Sequence, residues 1–284
     1  MHHTPSVLYI AVDHLVPERG KGIAGFDEFS AALDHAGVPA VWLTRRSRLQ
    51  FDEPRRKLGH AHPFIGEDGC GVYLPEDYFH LRPESGNSRS RQTSTLRLGR
   101  FTCIPLAEPL PAASDALESL SQATEVPVVT LRSLSVRELV QNTGLPPREA
   151  ELARQRDFDE LFFFAGASPA QIERFLADGR KQGIDLRQHE VLWSAAIGAS
   201  TQRSIAALSR LYDRALRYHA PSVAVATEDL APSLFPFCDR SILLADRTSE
   251  TEIDSSHRRS RSREIHLLSR DVWEQVLESV ASKS

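Results

Sequence analysis

The stretch that decides the fold is SVLYIAVDHLVPERG, residues 6–20. Residues 7–12 form a nearly continuous apolar run, the pattern of a strand buried on both faces in a parallel sheet. The run delivers one carboxylate, Asp13, into a loop. Junctions of this kind, at the carboxyl ends of parallel strands, are where open α/β sheets place ligands and reacting groups. Two positions before the acid, where a second carboxylate would suit that chemistry, stands Ala11.

The residues that follow keep an alternating rhythm. GFDEFSAALDHAG (25–37) spaces Phe26, Phe29, Ala32 and Leu33 along one helical face, with Gly37 as C-cap. VPAVWLT (38–44) is a second strand, ending on Thr44. SRLQFDEPRRKLG (47–59) reads as a helix in which Pro54 marks an early break or a first-turn start. PFIGEDGCGVYLP (63–75) gives two short strands around a Gly-rich turn. Strands and helices alternating at this spacing predict a parallel sheet with right-handed crossovers.

The middle of the chain differs. Residues 82–100, RPESGNSRSRQTSTLRLGR, are polar and basic and predict an exposed linker, its arginines a solvated surface. A helix over 114–124, a strand VPVVTL (126–131) and helices over 135–144 and 146–158 come next. A strand ELFFFAG (160–166) then precedes a helix from Ser168, its N-cap, with Pro169 at the first position. These elements predict a small α+β unit inserted into the sheet. From Trp193 the α/β rhythm returns, with a helix over 200–219 carrying Ile205, Leu208, Leu211, Tyr212 and Leu216 on one face. SVAVAT (222–227) and RSILLAD (240–246) read as strands, 247–264 as a charged loop, and 269–281 as the last helix. The expected organisation is a Rossmann-like core from 1–82 and 190–284 with an inserted cap from 83–189.

Composition narrows the function classes. The 284 residues are 41% hydrophobic and 25% charged, ordinary for a globular protein, and the net charge of -4 gives no electrostatic reason to expect nucleic acid. No apolar run approaches the ~20 residues that span a bilayer, and no secretory signal is read. Cys70, Cys103 and Cys238 are odd in number, far apart and without metal-ligand spacing, which predicts free thiols in a reducing cytoplasm.

Two segments carry a family likeness: HPFIGEDGCGVYLPEDYF (62–79) and ELVQNTGLPPREAELARQRDFDELF (138–162). With the order sheet half, cap, sheet half, they resemble the haloacid-dehalogenase-like phosphatases, and within them the mannosyl-3-phosphoglycerate phosphatase family, over roughly residues 6–247. The resemblance implies a mechanism. A strand-end Asp attacks phosphorus, and a second Asp two residues on serves as acid and base. A hydroxyl and a Lys hold the phosphoryl oxygens, and a later acidic pair helps hold Mg²⁺.

Set against that pattern, the motifs are degenerate. AVDHLV puts Ala11 at the nucleophile position and leaves Asp13 at the acid/base position. Thr44 matches the phosphate-binding hydroxyl, followed by Arg45 and Arg46. In GASTQRS the lysine falls on Thr201 or Gln202, with Arg203 nearby. In VATEDLA the first aspartate falls on Ala226, leaving Glu228 and Asp229 as the acids of a metal site, if one is retained. His14 is a phosphoryl acceptor on paper and a solvent-edge loop residue by position. Glu67 and Asp68 match the family's turn, and Arg154, Arg156 and Glu160 lie on the cap segment that faces substrate in the family. The expectation is a protein of this fold without turnover, holding no cofactor and binding a phosphorylated small molecule such as a sugar phosphate or phosphoglycerate. The alternative is an active phosphatase using Asp13 with Mg²⁺.

Overall fold

The central strand β1 (Val7–Ala11) is buried along its whole length, as an unbroken apolar run requires of a strand covered on both faces. The computed structural model describes residues 6–16, 22–79, 95–189, 191–245, 262–269 and 271–281. After β1 come α1 (Phe26–His35), β2 (Ala40–Leu43), α2 (Arg48–Lys57), β3 (Phe64–Gly66), β4 (Gly71–Pro75), β5 (Leu96–Leu98) and β6 (Phe101–Pro105). Then follow α3 (Leu110–Thr124), β7 (Val128–Thr130), α4 (Val136–Thr143), α5 (Pro147–Ala153), β8 (Glu160–Phe164), α6 (Pro169–Lys181), β9 (Ile184–His189) and β10 (Leu192–Ile197). The chain ends with α7 (Thr201–Leu216), β11 (Ser222–Thr227), α8 (Ala231–Leu234), β12 (Arg240–Ala245), β13 (Ser262–Leu267) and α9 (Val272–Ala281).

A nine-stranded sheet has the order β13-β12-β11-β1-β2-β3-β4-β6-β5. Its pairs from β13 to β3 are parallel and those from β3 through β4 and β6 to β5 antiparallel. Side-chain alternation along β1 sorts the core into two layers. Leu8 and Ile10 join Phe26, Phe29, Trp42, Phe51 and Trp273 on one face, where Trp273 stacks on Phe29 at 4.6 Å between ring centres. Tyr9 and Ala11 join Val41, Leu43, Ile205, Leu208 and Tyr212 on the other. A separate antiparallel sheet, β7-β8-β10-β9, carries the cap, with Phe162 of β8 and Phe175 of α6 fully buried alongside Leu117 and Leu120 of α3.

The α/β class and the parallel core agree with the sequence reading, but the sheets divide the chain elsewhere than at 83 and 189. Strands β5 and β6 belong to the large sheet, and β10 belongs to the cap. Leu96–Leu98 reads from sequence as the end of a polar linker because an edge strand needs few apolar side chains: Leu96 is 41% exposed even while paired. Strand β10, read as the return to the core, instead pairs on one side with β9 and on the other with β8. The charged loop expected over 247–264 ends early, since β13 begins at Ser262 and extends the parallel edge; residues 247–261, like 82–94 of the expected linker, lie outside the described residues. Helix α2 runs through Pro54, anchored by a capping box between Ser47 and Gln50 and by buried Phe51 and Arg55. All three cysteines are buried and unpaired. Among the described residues no helix is long and apolar enough to cross a membrane.

Candidate functional site

The carboxyl ends of β1, β2 and β11 converge with the turn after β3. At the end of β1, Ala11 presents a methyl group that is 4% exposed. Asp13 follows in the loop, and both its oxygens are occupied: the Thr44 hydroxyl donates to Oδ1, and the Arg45 amide donates to Oδ2 at 2.8 Å. The same Thr44 oxygen accepts the Arg46 amide at 3.1 Å. The expected phosphate-binding hydroxyl and the expected acid therefore engage each other. The space beside them, lined also by Ala11, Ile65, Gly69 and Thr201, measures about 20 Å³, room for about one water molecule.

Across from Asp13, His14 Nε2 lies 2.9 Å from Asp229 Oδ2, and Thr227 donates to the other Asp229 oxygen at 2.6 Å. Arg45 approaches the same carboxylate at 3.9 Å. The hydrogen bond that His14 donates to the Asp229 carboxylate raises the His14 pKa. Partial burial works to raise that of Asp229, yet His14 and Thr227 hold it down to about 2. Ala226 is fully buried in β11, and Glu228 is exposed. These groups do not fit Mg²⁺: a cation of that kind needs near-octahedral oxygen ligands, whereas two positions carry methyl groups and Asp229 is spent on His14 and Thr227. Among the described residues, no cluster of three or more His, Cys, Asp or Glu could hold a metal.

The turn Glu67–Gly69 joins sheet to cap. All three residues have positive φ, and a side chain at Gly69 would meet the Thr201 amide nitrogen at 2.6 Å, so this glycine lets the turn abut the start of α7. Glu67 is fully buried. It accepts the backbone amides of Asp157, Phe158 and Asp159 at 3.0, 2.9 and 3.0 Å. Burial and the neighbouring Asp159 push its carboxyl up to about 8, against Arg156 and the backbone donors. Arg156 is buried with Asp159, its ion-pair partner, and donates to the Arg45 carbonyl at 2.7 Å. Arg48 grips Asp157 through two nitrogens at 3.0 and 3.2 Å, and Tyr73 donates to the same carboxylate. The segment 156–159, read as substrate-facing, thus fastens cap to core.

The remaining candidates separate. Arg154 donates to the Leu134 carbonyl and pairs with Glu151. Glu160 is buried inside the cap against Ser114 and Arg132, and burial raises its pKa. Arg203 turns to the carbonyls of Leu106 and Gly198. Arg45 and Asp68 remain, and they line a cleft of about 460 Å³ between the cap and the start of α7. Arg187 and His189 complete it, two residues that sequence reasoning missed. They alternate along β9 and so share a face; Arg187 donates to the Asp68 carbonyl at 2.5 Å, and His189 Nε2 lies 3.1 Å from the Asp68 carboxylate. The period-2 pattern of IDLRQH was the available signal.

No protein-family model matches the chain. A glucosyl-3-phosphoglycerate/mannosyl-3-phosphoglycerate phosphatase of Persephonella marina is 29% identical over 128 residues, 44% of this chain and 42% of the relative. A protein of the same description from Methanococcoides burtonii is 24% identical over 140 residues, 48% of each chain. The match spans about half the length of these curated relatives. A haloacid dehalogenase-like hydrolase from Bacteroides thetaiotaomicron superposes with a TM-score of 0.61 at 11% identity, covering 97% of this chain and 99% of that one. The chain has the haloacid-dehalogenase-like fold, and over about half its length its sequence is similar to mannosyl-3-phosphoglycerate phosphatases.

Proposed function

We infer that the chain is a pseudophosphatase: a non-catalytic protein on a hydrolase fold whose cleft binds an anionic small molecule without turning it over. The observation that carries this reading is the end of β1, where Ala11 stands in place of a carboxylate beside a space of about 20 Å³. A methyl group has no electron pair to offer phosphorus. Asp13, the surviving acid, has both oxygens engaged by Thr44 and Arg45, and neither Thr201 nor Gln202 brings a cation to the start of α7. Groups of this kind act as a unit, so losing the nucleophile and the lysine together leaves little rate. An active enzyme using Asp13 alone would lack both a metal and a lysine to offset the phosphoryl charge.

The named relatives are phosphatases of glucosyl- and mannosyl-3-phosphoglycerate, so phosphorylated glycerates and their glycosides are the first ligands to try. Buried free thiols are compatible with a cytoplasmic setting. The test is a phosphatase assay on both glycosides with Mg²⁺. No turnover is expected; release of phosphate within about a hundredfold of an intact relative, abolished by Asp13→Asn, sinks the reading.

A further inference from the structure

The inner space beside Ala11 and the outer cleft share Arg45, Asp68, Thr201 and Ser233 in their walls. A ligand in the cleft thus has two places to set an anionic group, and the hydrogen bonds at each decide between them. At the inner end the donors are spent. The Thr44 hydroxyl and the Arg45 amide both donate to Asp13, and the Arg46 amide donates to Thr44. A phosphoryl group seated there would have to take those donors from the Asp13 carboxylate and then lie against it, where like charges repel strongly. The space itself, about 20 Å³, holds about one water molecule.

At the outer end two guanidiniums have donors to give. Arg45 Nη2 lies 3.9 Å from Asp229 Oδ2, too far for a hydrogen bond. Arg187 spends Nη1 on the Asp68 carbonyl and lies 4.0 Å from the Asp68 carboxylate, so most of its fork of N–H groups is uncommitted. Both side chains line the cleft and are partly exposed to it. Asp68, the acid of this lining, meets His189 Nε2 at 3.1 Å. Ser200, Thr201 and Gln202 bring the start of α7 to the same wall, with the positive end of its dipole.

We propose that the protein binds a phosphate monoester with the phosphoryl group in the outer cleft, on Arg45 and Arg187 beside the start of α7, and not at the end of β1. The inference rests on the non-catalytic reading, since a phosphatase must bring phosphorus to the end of β1, and it names the group that anchors the ligand. A phosphoryl group presents three acceptor oxygens, enough to meet two guanidiniums and the helix start together, whereas a carboxylate has two. Arginine pairs such oxygens through parallel hydrogen bonds. The cleft of about 460 Å³ also has room for the rest of a small ester, since small-molecule sites measure roughly 300–1,000 Å³.

Titration calorimetry on the full chain at pH 7 without added metal tests it, with 3-phosphoglycerate and D-glycerate as probes. 3-Phosphoglycerate should bind once per chain and at least about tenfold more tightly than D-glycerate, which lacks only the phosphoryl group. Arg187→Gln should weaken 3-phosphoglycerate by at least about tenfold. Because Arg187 also holds the Asp68 carbonyl, Gln202→Glu serves as a second variant: it opposes the phosphoryl group from the exposed start of α7 and should weaken binding similarly without lowering the melting temperature. Ala11→Val, which fills the inner space, should change the affinity by less than about twofold. The proposal is overturned if 3-phosphoglycerate fails to bind up to about 10 mM, if D-glycerate binds as tightly, or if binding is indifferent to both Arg187→Gln and Gln202→Glu. It is overturned too if Ala11→Val melts as wild type does yet binds about tenfold more weakly; a poorly folded Ala11→Val leaves the decision to the other two variants. Phosphate release from the glycosyl esters would instead overturn the non-catalytic reading, while binding of 3-phosphoglycerate without release and indifferent to the cleft variants overturns this inference alone.

Discussion

His14 Nε2 lies 2.9 Å from Asp229 Oδ2, so an acid from the last of the four motifs is tied to a histidine from the first. Both side chains are nearly half exposed, 42% and 49%, which limits the pair to at most about 1 kcal/mol. The sign of its pH dependence follows from the shifts. His14 is raised, so its contribution is complete below its unfolded value near 6.5 and is lost as pH rises through the folded value. Asp229 is lowered to about 2, so the pair also fails as pH falls toward that value. Thermal melts of wild type and His14→Gln between pH 5 and 9 should show a small deficit in the variant at the acid end that closes toward pH 9. A deficit that stays constant across the range would falsify this account of the pair.

Glu67 is the acceptor on which the cap's return segment hangs. Glu67→Ala leaves three amides, those of Asp157, Phe158 and Asp159, without their acceptor, at a cost of about 3 kcal/mol or more. Glu67→Gln should cost less. Because the wild-type carboxyl is raised to about 8, the folded state holds a proton that the unfolded chain releases above about 4.5. Wild-type stability should therefore fall as pH rises from 5 to 8, and Glu67→Gln should flatten that fall. Urea denaturation of the three proteins at pH 5 and 8 checks both parts; parallel pH dependence in wild type and Glu67→Gln would remove Glu67 as its source.

The parallel sheet was legible because β1 and β11 are short apolar runs that only a two-faced burial explains, and β1 also exposed the substitution at residue 11. The Ser168 cap was legible too: its hydroxyl accepts the Gln171 amide where the sequence places a helix start. What escaped was set by partners far apart in the chain. Arg156 reads from sequence as a free guanidinium on a substrate-facing segment, but Glu67, about 90 positions earlier, draws the segment inward. Arg203 lies in the first turn of α7, as expected, yet its long stem folds back to backbone carbonyls. The edge strands β5 and β13 escaped because an edge demands hydrogen bonding more than apolar side chains.

Arg156 and Asp159 are 9% and 2% exposed and pair within three residues of one another. Asp159 and Glu67 keep the guanidinium charged although burial alone would work against it. Arg156→Leu strands one or two acids in the interior and should cost about 3–5 kcal/mol. Arg156→Leu combined with Asp159→Leu should recover part of that loss, because the leftover charge is then smaller. Denaturation midpoints of the single and double variants decide it; a double variant less stable than Arg156→Leu would mean that Asp159 stabilises the fold by some route other than this pair.

Restoring the missing carboxylate tests the site from the opposite direction. Ala11→Asp places an acid at a position that is 4% exposed and two residues from Asp13. With Asp13 and Asp68 lining the same space and Arg45 its one cation, the new group should destabilise the protein by about 2 kcal/mol, from burial and like-charge repulsion. Mg²⁺ should return part of that stability to the variant by binding the folded state and should leave wild type unmoved, because wild type offers Asp229 only in its pair with His14. Phosphatase activity should remain absent even with Mg²⁺ bound, since position 201 or 202 still lacks the lysine. Melting temperatures with and without about 10 mM Mg²⁺, read beside a phosphate-release assay, separate these outcomes. Stabilisation of wild type equal to that of Ala11→Asp would show that the metal binds elsewhere, and turnover by Ala11→Asp would show that the lysine is dispensable here.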